Sequence, residues 1–407
     1  MSLIAATKSM YPNSFSRNRT FKPKWRGSGN RNRSFTRNKS AAIPSAQYIN
    51  RAVVQETSSA YTAIHQFQDF QINQQLKANI ENRGYVSPTP IQDQAIEPIL
   101  IGKDVVGIAN TGTGKTAAFL IPLINKIVSD RTQRVLIMVP TRELAMQIKD
   151  ESVQLAKDLH ITAQILIGGA NLQRQIFALK QNPNLVIATP GRLKDLIKRR
   201  SLVLSQFRTI VLDEVDRMVD IGFITDIKFI ISHLSQLRQS LFFSATVSPQ
   251  INTIIQSFLK NPITISVKSS ETAQSIEQDI IRVKDKAEKL TKLHALLRQE
   301  EFKKVLIFGA TKWNVEKLAK TLAQSGFSVA SIHGNKSQGQ RLRALSQFKQ
   351  NQLQVLVATD IAARGLDIVD VSHVINFDEP HSYTDYVHRI GRTGRANKAG
   401  KALTFVI

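Results

Sequence analysis

Cysteine is absent from the 407-residue chain, which excludes disulfide bonds, thiolate zinc sites and cysteine nucleophiles. No uncharged apolar run approaches the roughly 18 residues of a membrane span, and we expect a soluble, cytoplasmic protein without a membrane partner. Hydrophobic residues make up 42% and charged residues 21% of the chain. These shares are ordinary for globular proteins, so they argue against wholesale disorder and a fibrous architecture. The length allows two to four domains.

Acidic residues are scarce. The chain has 31 Asp and Glu against 55 Lys and Arg, which gives a net charge of +24. Residues 1–50 contain ten basic residues and no acid, which leaves +14 of that charge for the other 357 residues. Both parts are basic, and a polyanion is the first partner to consider.

The N-terminal segment lacks helical and strand periodicity. It mixes Arg, Asn, Ser, Gly and Pro with the isolated aromatic residues Phe15, Phe21, Trp25 and Phe35. Because such a segment buries too little apolar surface to order itself, we predict a disordered basic arm over residues 1–60. Its aromatic rings can stack on bases. An organellar transit peptide and an inert solubilising tail remain as alternatives.

From Phe67 onward, short apolar runs alternate with longer helical patterns, which predicts parallel sheets covered by helices on both faces. The polar stretch 268–275 predicts a linker between an α/β domain over 61–267 and another over 276–407. The chain ends on a predicted strand, so we expect no appended C-terminal domain. Strands are predicted at 104–109, 134–140, 185–190, 209–212 and 241–244, and then at 305–308, 329–332, 354–358, 373–377 and 402–407.

A glycine-rich loop follows the first predicted strand and precedes a helix-forming stretch. It contains Gly112 and Gly114, which let the backbone amides face phosphate groups, and ends in Lys115 and Thr116. Lys115 supplies a positive charge to the outer phosphates, and Thr116 can hold Mg²⁺. A glycine turn that merely caps a helix does not explain the adjacent Lys and Thr.

The apolar run 209–212 ends at Asp213-Glu214-Val215-Asp216. An acid directly after a buried strand can reach the Mg²⁺ on Thr116, and a second acid can orient or deprotonate an attacking water. Alone, this tetrapeptide is equally typical of a helix cap. Together with the glycine-rich loop, it favours nucleotide hydrolysis.

The second domain contains Arg389, Arg392 and Arg395 at three-residue spacing. They can stabilise charge on a transferred phosphate as arginine fingers, or they can form a surface loop that faces a polyanion. If they are fingers, catalysis depends on closure of one domain onto the other.

Together these motifs resemble the DEAD-box family of ATP-dependent RNA helicases, from about Phe67 to the C-terminus. The resemblance implies two tandem RecA-like domains, with ATP and Mg²⁺ between them and RNA across both. Gln92 would read the adenine edge, Tyr85 would pack on its face, and Asp367 would approach the ribose. The implied nucleotide-binding residues are Phe67, Tyr85, Gln92, Thr111, Gly112, Thr113, Gly114, Lys115, Thr116 and Asp367.

The same resemblance assigns the remaining roles. The catalytic residues would be Lys115, Asp213, Glu214, Arg392 and Arg395, with Thr116 and Asp213 on Mg²⁺. The RNA-binding residues would be Thr141, Arg142, Gly169, Thr189, Arg192, Gly334, Gln338, Arg341 and Thr359. Ser244 and Thr246 would link hydrolysis to strand separation through Asp216.

The sequence departs from the family pattern at two places. Val215 replaces an alanine, and Asn335-Lys336 replaces acidic and apolar residues. We expect a monomeric ATP-dependent RNA helicase that unwinds short duplexes or remodels ribonucleoprotein partners. An ATP-gated RNA clamp and a DNA helicase on the same architecture are the alternatives.

Overall fold

The computed structural model describes Pro44, Tyr48, Ile49 and residues 61–110, 112–267, 276–363, 371–394 and 400–407. Apart from Pro44, Tyr48 and Ile49, the arm predicted over residues 1–60 lies outside the described residues. The linker predicted over 268–275 also lies outside them. No helix in the described ranges is long and apolar enough to cross a membrane.

The first sheet has seven parallel strands. They are β1 Val105–Ala109, β2 Val135–Met138, β3 Ala163–Leu166, β4 Leu185–Ala188, β5 Thr209–Leu212, β6 Gln239–Ser244 and β7 Ile263–Val267. Their spatial order is β3-β4-β2-β5-β6-β1-β7. We call the part of the chain built on this sheet the first lobe.

Nine α-helices accompany the first sheet in the described residues. They are α1 Gln74–Asn82, α2 Pro90–Leu100, α3 Lys115–Ser129, α4 Arg142–Leu155, α5 Leu172–Leu179, α6 Pro190–Lys198, α7 Val215–Ile221, α8 Ile224–Ile231 and α9 Pro249–Phe258. Side-chain oxygens of Asn73, Thr141 and Ser248 accept first-turn amides of α1, α4 and α9, which fixes where these helices begin. Separate apolar cores fill the two faces of the sheet.

The second sheet has six parallel strands. They are β8 Ile276–Arg282, β9 Val305–Phe308, β10 Val329–Ile332, β11 Val355–Ala358, β12 His373–Asn376 and β13 Gly400–Val406, in the order β10-β11-β9-β12-β13-β8. The accompanying helices are α10 Lys286–Leu297, α11 Lys312–Gln324, α12 Gln338–Lys349, α13 Asp360–Ala363 and α14 Tyr383–Ile390. This second lobe also has a core on each face of its sheet.

The prediction of two parallel sheets with helices on both faces is confirmed. Three strands were not predicted: β3, β7 and β8. Each lies at the edge of its sheet and is partly exposed, with alternating or mostly half-buried residues. Because edge strands need no continuous apolar run, their sequences lack the signal that reveals the central strands.

Tyr48 lies within the range predicted as an arm, yet it is buried in the second lobe. Its side chain is 1% exposed and its ring centroid lies 4.8 Å from that of Tyr386. Its hydroxyl has no hydrogen-bond partner among the described residues. Burial, reinforced by the carboxylate of Glu379, raises the pKa of Tyr48 to about 12. A single aromatic residue in a polar segment has no periodicity, so the sequence did not reveal this anchor.

We predict opposite effects for two substitutions of Tyr48. Tyr48→Ala should lower the free energy of unfolding by about 3 kcal/mol, because it leaves a cavity beside Tyr386. Tyr48→Phe should cost nothing or stabilise the lobe, because it removes an unpaired buried hydroxyl. Thermal unfolding of the full chain measures both, with Ile49→Ala, at a position 51% exposed, as the matched control. Equal melting of the two alanine variants would contradict the anchor.

Candidate functional site

The glycine-rich loop joins the end of β1 to the start of α3. Gly112 has φ 88° and Gly114 has φ 91°, in the left-handed region that favours glycine. A Cβ atom at Gly114 would also collide with the side chain of Gln92. The first turn of α3 presents amides that have no partner within the helix, and such amides bind phosphate.

Lys115 is 6% exposed and folds back onto its own loop. Its Nζ donates to the carbonyl oxygen of Ala109 at 2.5 Å, and Thr113 Oγ1 donates to the carbonyl oxygen of Asn110 at 2.8 Å. The ammonium group is therefore held at the mouth of the loop, where it can move from a carbonyl to a phosphate oxygen. Thr111 lies outside the described residues.

A cavity of about 730 Å³ surrounds this loop. That volume suits a small-molecule ligand. The wall of the cavity includes several residues of the predicted site: Tyr85, Gly112, Gly114, Lys115, Thr116, Asp213 and Glu214. The structure thus brings the glycine-rich loop and the two acids that follow β5 to one cavity, although Lys115 and Asp213 lie 98 positions apart in sequence.

Asp213 and Glu214 are adjacent buried carboxylates, 2% and 5% exposed. Burial and the neighbouring Glu214 raise the pKa of Asp213 to about 7, against the opposing effect of Lys115. Glu214 has a positive φ of 53° and accepts a hydrogen bond from Arg217 Nη1 at 2.7 Å. Left-handed backbone at a non-glycine residue is strained, and here the strain aims an acid into the cavity.

Asp216 connects the start of α7 to the end of β6. Its carboxylate accepts from the amides of Ala245 and Thr246 at 3.1 and 3.2 Å, and its own amide donates to Ser244 Oγ at 3.4 Å. The three residues predicted to couple hydrolysis to strand separation are therefore in direct contact.

The predicted adenine-binding residues lie beside the loop. Gln92 is fully buried, where its Nε2 donates to the carbonyl oxygen of Gly114 at 3.1 Å and its Oε1 accepts from the Thr89 amide at 3.0 Å. Tyr85 donates its hydroxyl to Glu151 at 2.8 Å. The Gln92 amide thus holds the phosphate loop, and its contact with adenine stays a prediction.

Phe67 is 5% exposed in the core of the first lobe. Its ring centroid lies 6.0 Å from that of Tyr85. In this structure Phe67 therefore supports the Tyr85 ring from behind, and its contact with a nucleotide stays a prediction.

The predicted RNA-binding residues of the first lobe gather at the carboxyl ends of β2, β3 and β4. The Arg142 guanidinium lies against the backbone of Gly168 and Gly169, and a Cβ at Gly169 would collide with it. Arg192 donates to the carbonyl oxygen of Ala170 at 3.2 Å. Burial lowers the pKa of Arg192, and the nearby charge of Arg142 adds to this effect. Two neighbouring guanidiniums make this edge attractive to phosphate.

Thr141 and Thr189 occupy the N-cap positions of α4 and α6 and are each 7% exposed. Thr141 Oγ1 accepts from the Leu144 amide at 3.2 Å. Both helix starts face the same sheet edge as Arg142, which is the edge where parallel α/β sheets bind ligands.

Two predicted RNA-binding residues of the second lobe, Gln338 and Arg341, contact the first lobe in this structure, and their contact with RNA stays a prediction. Glu143, 3% exposed, accepts from Arg341 Nη2 at 2.9 Å and from Gln338 Nε2 at 3.1 Å. Sequence reasoning missed Glu143 as a functional residue. Its position inside the predicted RNA motif was the only signal, and nothing local indicated a partner about 195 residues away.

Gly334 and Thr359 line a separate cleft of about 1040 Å³ between the lobes. Asp216 and Thr246 line its opposite wall. The cleft therefore places the coupling residues of the first lobe across from two predicted RNA-binding residues of the second.

Arg389 belongs to the arginine series, but it has a structural role. It is 1% exposed and clamps Asp360 through two bonds of 2.6 and 2.8 Å. It also donates to Asn376 Oδ1 at 3.1 Å and to the carbonyl oxygen of Asp378 at 2.6 Å. A guanidinium with all of these partners is not available to a phosphate, which corrects the interpretation that all three arginines are candidate fingers.

Arg392 is 3% exposed, and its Nε donates to the carbonyl oxygen of His388 at 3.4 Å. It does not line the cavity around Lys115, whose wall includes Lys349 from the second lobe. The structure therefore does not bring this predicted finger to the phosphate loop. Arg395 and Asp367 lie outside the described residues.

Comparison with known proteins identifies both lobes. The DEAD/DEAH box helicase family matches residues 89–254, and the helicase conserved C-terminal domain matches residues 285–397. The ATP-dependent RNA helicase CshA of Limosilactobacillus reuteri and the DEAD-box ATP-dependent RNA helicase CshA of Bacillus subtilis are each 44% identical over 342 residues. The match covers 84% of this chain and 69% of each relative.

Among solved structures, Saccharomyces cerevisiae Dbp5 bound to RNA and ADP BeF3 is 29% identical, with a TM-score of 0.73. That match covers 84% of this chain and 89% of Dbp5, and it supports the two tandem RecA-like domains that the sequence implied. The chain therefore belongs to the DEAD-box family of ATP-dependent RNA helicases.

Proposed function

We propose that this protein binds ATP with Mg²⁺ in the cavity around Lys115 and binds RNA along the carboxyl edges of both sheets. It uses ATP binding and hydrolysis to separate short duplexes or to remodel ribonucleoproteins. The observation that carries the proposal is the single cavity that holds the phosphate loop together with Asp213 and Glu214. The cytoplasmic location, the monomeric state and the domain boundaries stay predictions.

The donors around the cavity fit Mg²⁺. No group of three or more His, Cys, Asp or Glu side chains in the described ranges could hold a metal ion. The Asp213 carboxylate and the Thr116 hydroxyl would instead hold the ion together with phosphate oxygens and water, which is the usual pattern for Mg²⁺. The raised pKa of Asp213 reflects negative charge crowded into a buried site, and a bound cation offsets that charge. When bound, Mg²⁺ would neutralise the outer phosphates.

The residues of the glycine-rich loop and those that follow β5 then act in turn. Lys115 exchanges the Ala109 carbonyl oxygen for a phosphate oxygen, because a charged partner binds an ammonium group more strongly. Glu214 orients the attacking water and accepts its proton, and Arg217 fixes the carboxylate at 2.7 Å. Asp216 transmits the change to Thr246, which faces the second lobe across the interlobe cleft.

RNA binding is expected on the guanidiniums of Arg142 and Arg192 and on the helix starts at Thr141 and Thr189. These groups recognise phosphate and carry no base-reading chemistry, so binding should tolerate any sequence. An ATP-gated clamp would retain RNA in the presence of ATP without displacing a duplex strand. A DNA helicase would have its ATP turnover stimulated by DNA as strongly as by RNA. Strand displacement, ATP-dependent RNA retention and stimulation by the two nucleic acids therefore distinguish the three functions.

The first prediction for this site concerns the chemistry. Lys115→Ala should abolish useful ATP binding, whereas Glu214→Gln should keep ATP bound and nearly stop hydrolysis, because Asp213 is left intact. Nucleotide affinity and single-turnover hydrolysis measure the two effects. Glu81→Gln, which alters an exposed carboxylate on α1, is the control. Hydrolysis by Glu214→Gln at the parent rate would refute the role assigned to Glu214.

The second prediction concerns the arginines. If lobe closure brings Arg392 to the γ-phosphate, Arg392→Ala should lower ATP turnover on the order of 10³-fold, and the same holds for Arg395→Ala. Because Arg392 is buried, Arg392→Lys and a melting curve are needed to separate lost catalysis from lost folding. Losses below about tenfold for both alanine variants, in folded protein, would favour the surface-loop interpretation.

The third prediction concerns the basic arm. Residues 1–50 contain ten basic residues, all at or before Lys39, so deleting residues 1–41 removes these ten and keeps Arg51 and Tyr48. If about half of them neutralise phosphates, the slope of log RNA affinity against log salt should flatten by about 3 to 4. ATP turnover at saturating RNA should not change. Parallel salt plots for the full and shortened chains would leave the transit-peptide and inert-tail alternatives.

A further inference from the structure

The outward side of α11 carries an aromatic residue and cations that the function above does not use. Trp313 is 74% exposed, and Lys317 and Lys320 follow it at four- and seven-residue spacing. Residues at this spacing lie on one side of a helix. Both lysines are exposed and form no ion pair within the part of the chain that the structure describes. We call Trp313, Lys317 and Lys320 the α11 face.

The fold does not need Trp313. The opposite side of α11 packs into the core through Val315, Leu318 and Leu322. Glu316 is the sole acid of the helix and is held by Ser331 of β10 and by His333 and Lys336 of the loop that follows β10. The α11 face is therefore positively charged, and its indole is exposed to solvent. One exposed apolar residue needs no explanation, but an exposed indole in line with unpaired lysines is typical of a nucleic-acid surface.

The α11 face begins beside the proposed RNA site. The helix starts just after the carboxyl end of β9, on the sheet edge that presents the ligand loops. Lys312 Nζ donates to Asn335 Oδ1 at 3.1 Å, which fixes the helix start to the loop that contains Gly334. Lys312, Gly334 and Thr359 line the same interlobe cleft. Trp313 directly follows Lys312 in the chain, so an RNA strand that leaves Gly334 along α11 would pass it.

We propose that Trp313 stacks on a base of the bound RNA strand while Lys317 and Lys320 contact the phosphates that follow. The inference rests on the proposed RNA-binding function and extends it from backbone contacts to a base contact. Seven residues of α-helix rise about 10 Å, which lets the three side chains follow a few nucleotides of a single strand. An indole stacks on any base, so this contact adds affinity without selecting a sequence.

The test compares two RNA oligomers on the full chain with a non-hydrolysable ATP analogue. One is a 12-nucleotide oligouridine, and the other has the same backbone with its bases removed. Trp313→Ala should weaken binding of oligouridine by about tenfold, and Trp313→Phe should retain most of the affinity. Neither variant should alter binding of the abasic oligomer. Equal affinity of the parent and Trp313→Ala for oligouridine would overturn the proposal.

A spectroscopic measurement gives an independent result. The chain has two tryptophans, Trp25 and Trp313, so deletion of residues 1–41 leaves Trp313 as the single indole. Oligouridine should quench its fluorescence in step with binding, whereas the abasic oligomer should not. Fluorescence that stays constant while oligouridine binds would overturn the stacking contact.

The salt dependence of RNA affinity tests the two lysines separately. Replacing Lys317 and Lys320 together by Ala should reduce the salt dependence of RNA affinity by about 1.4, because each neutralised phosphate of a single strand contributes about 0.7. An unchanged slope would refute their phosphate contacts.

The matched control is Leu237→Ala, which removes a side chain 76% exposed at the opposite end of the first sheet, just before β6. This variant should bind oligouridine like the parent, and all variants should keep the parent ATP turnover without RNA. A parent chain that binds neither oligomer would refute the proposed function itself. A parent that binds both, with no effect of Trp313→Ala, would refute only the α11 face.

Discussion

A buried carboxylate, that of Glu143, joins two lobes that have separate apolar cores. Each lobe has apolar cores of its own, so their alignment depends on polar contacts across the cleft. Glu143 binds Arg341 and Gln338 while it is 3% exposed. Breaking one side of such a pair leaves an uncompensated charge, which typically costs about 3 to 5 kcal/mol. We therefore expect the two lobes to close in one step, because an arrangement in which Glu143 is buried without Arg341 would leave its charge unpaired.

The position of Glu143 also connects closure to the proposed RNA site. The preceding residue, Arg142, lies over Gly169, while Glu143 points to the second lobe. The charge of Arg142 lowers the pKa of Arg341, in addition to the larger effect of burial and against the effect of Glu143. Closure thus brings two guanidiniums into mutual repulsion. A phosphate group bound near them relieves that repulsion, so RNA binding and closure should favour each other by linkage.

The parts of the site that depend on residues adjacent in the chain were predictable from the sequence. The glycine-rich loop and Asp213-Glu214 each follow a buried strand directly, and both line the cavity. Contacts that depend on distant partners were not predictable. Gln338 lies about 195 residues from Glu143, and Arg389 clamps Asp360 rather than a phosphate. Tyr48 is buried because it packs against the distant Tyr386. Edge strands such as β3 lack a continuous apolar run.

The proposed path from hydrolysis to strand separation is short. Glu214 has a strained backbone. Val215, which is fully buried, connects it to Asp216. Three donors from Ala245 and Thr246 hold the Asp216 carboxylate. Because Val215 belongs to a buried core cluster of the first lobe and protein cores are close-packed, we expect a movement of Glu214 to be passed on to Thr246 through Asp216. Because Thr246 lines the cleft that faces the second lobe, a change at the phosphate becomes a change at the lobe interface.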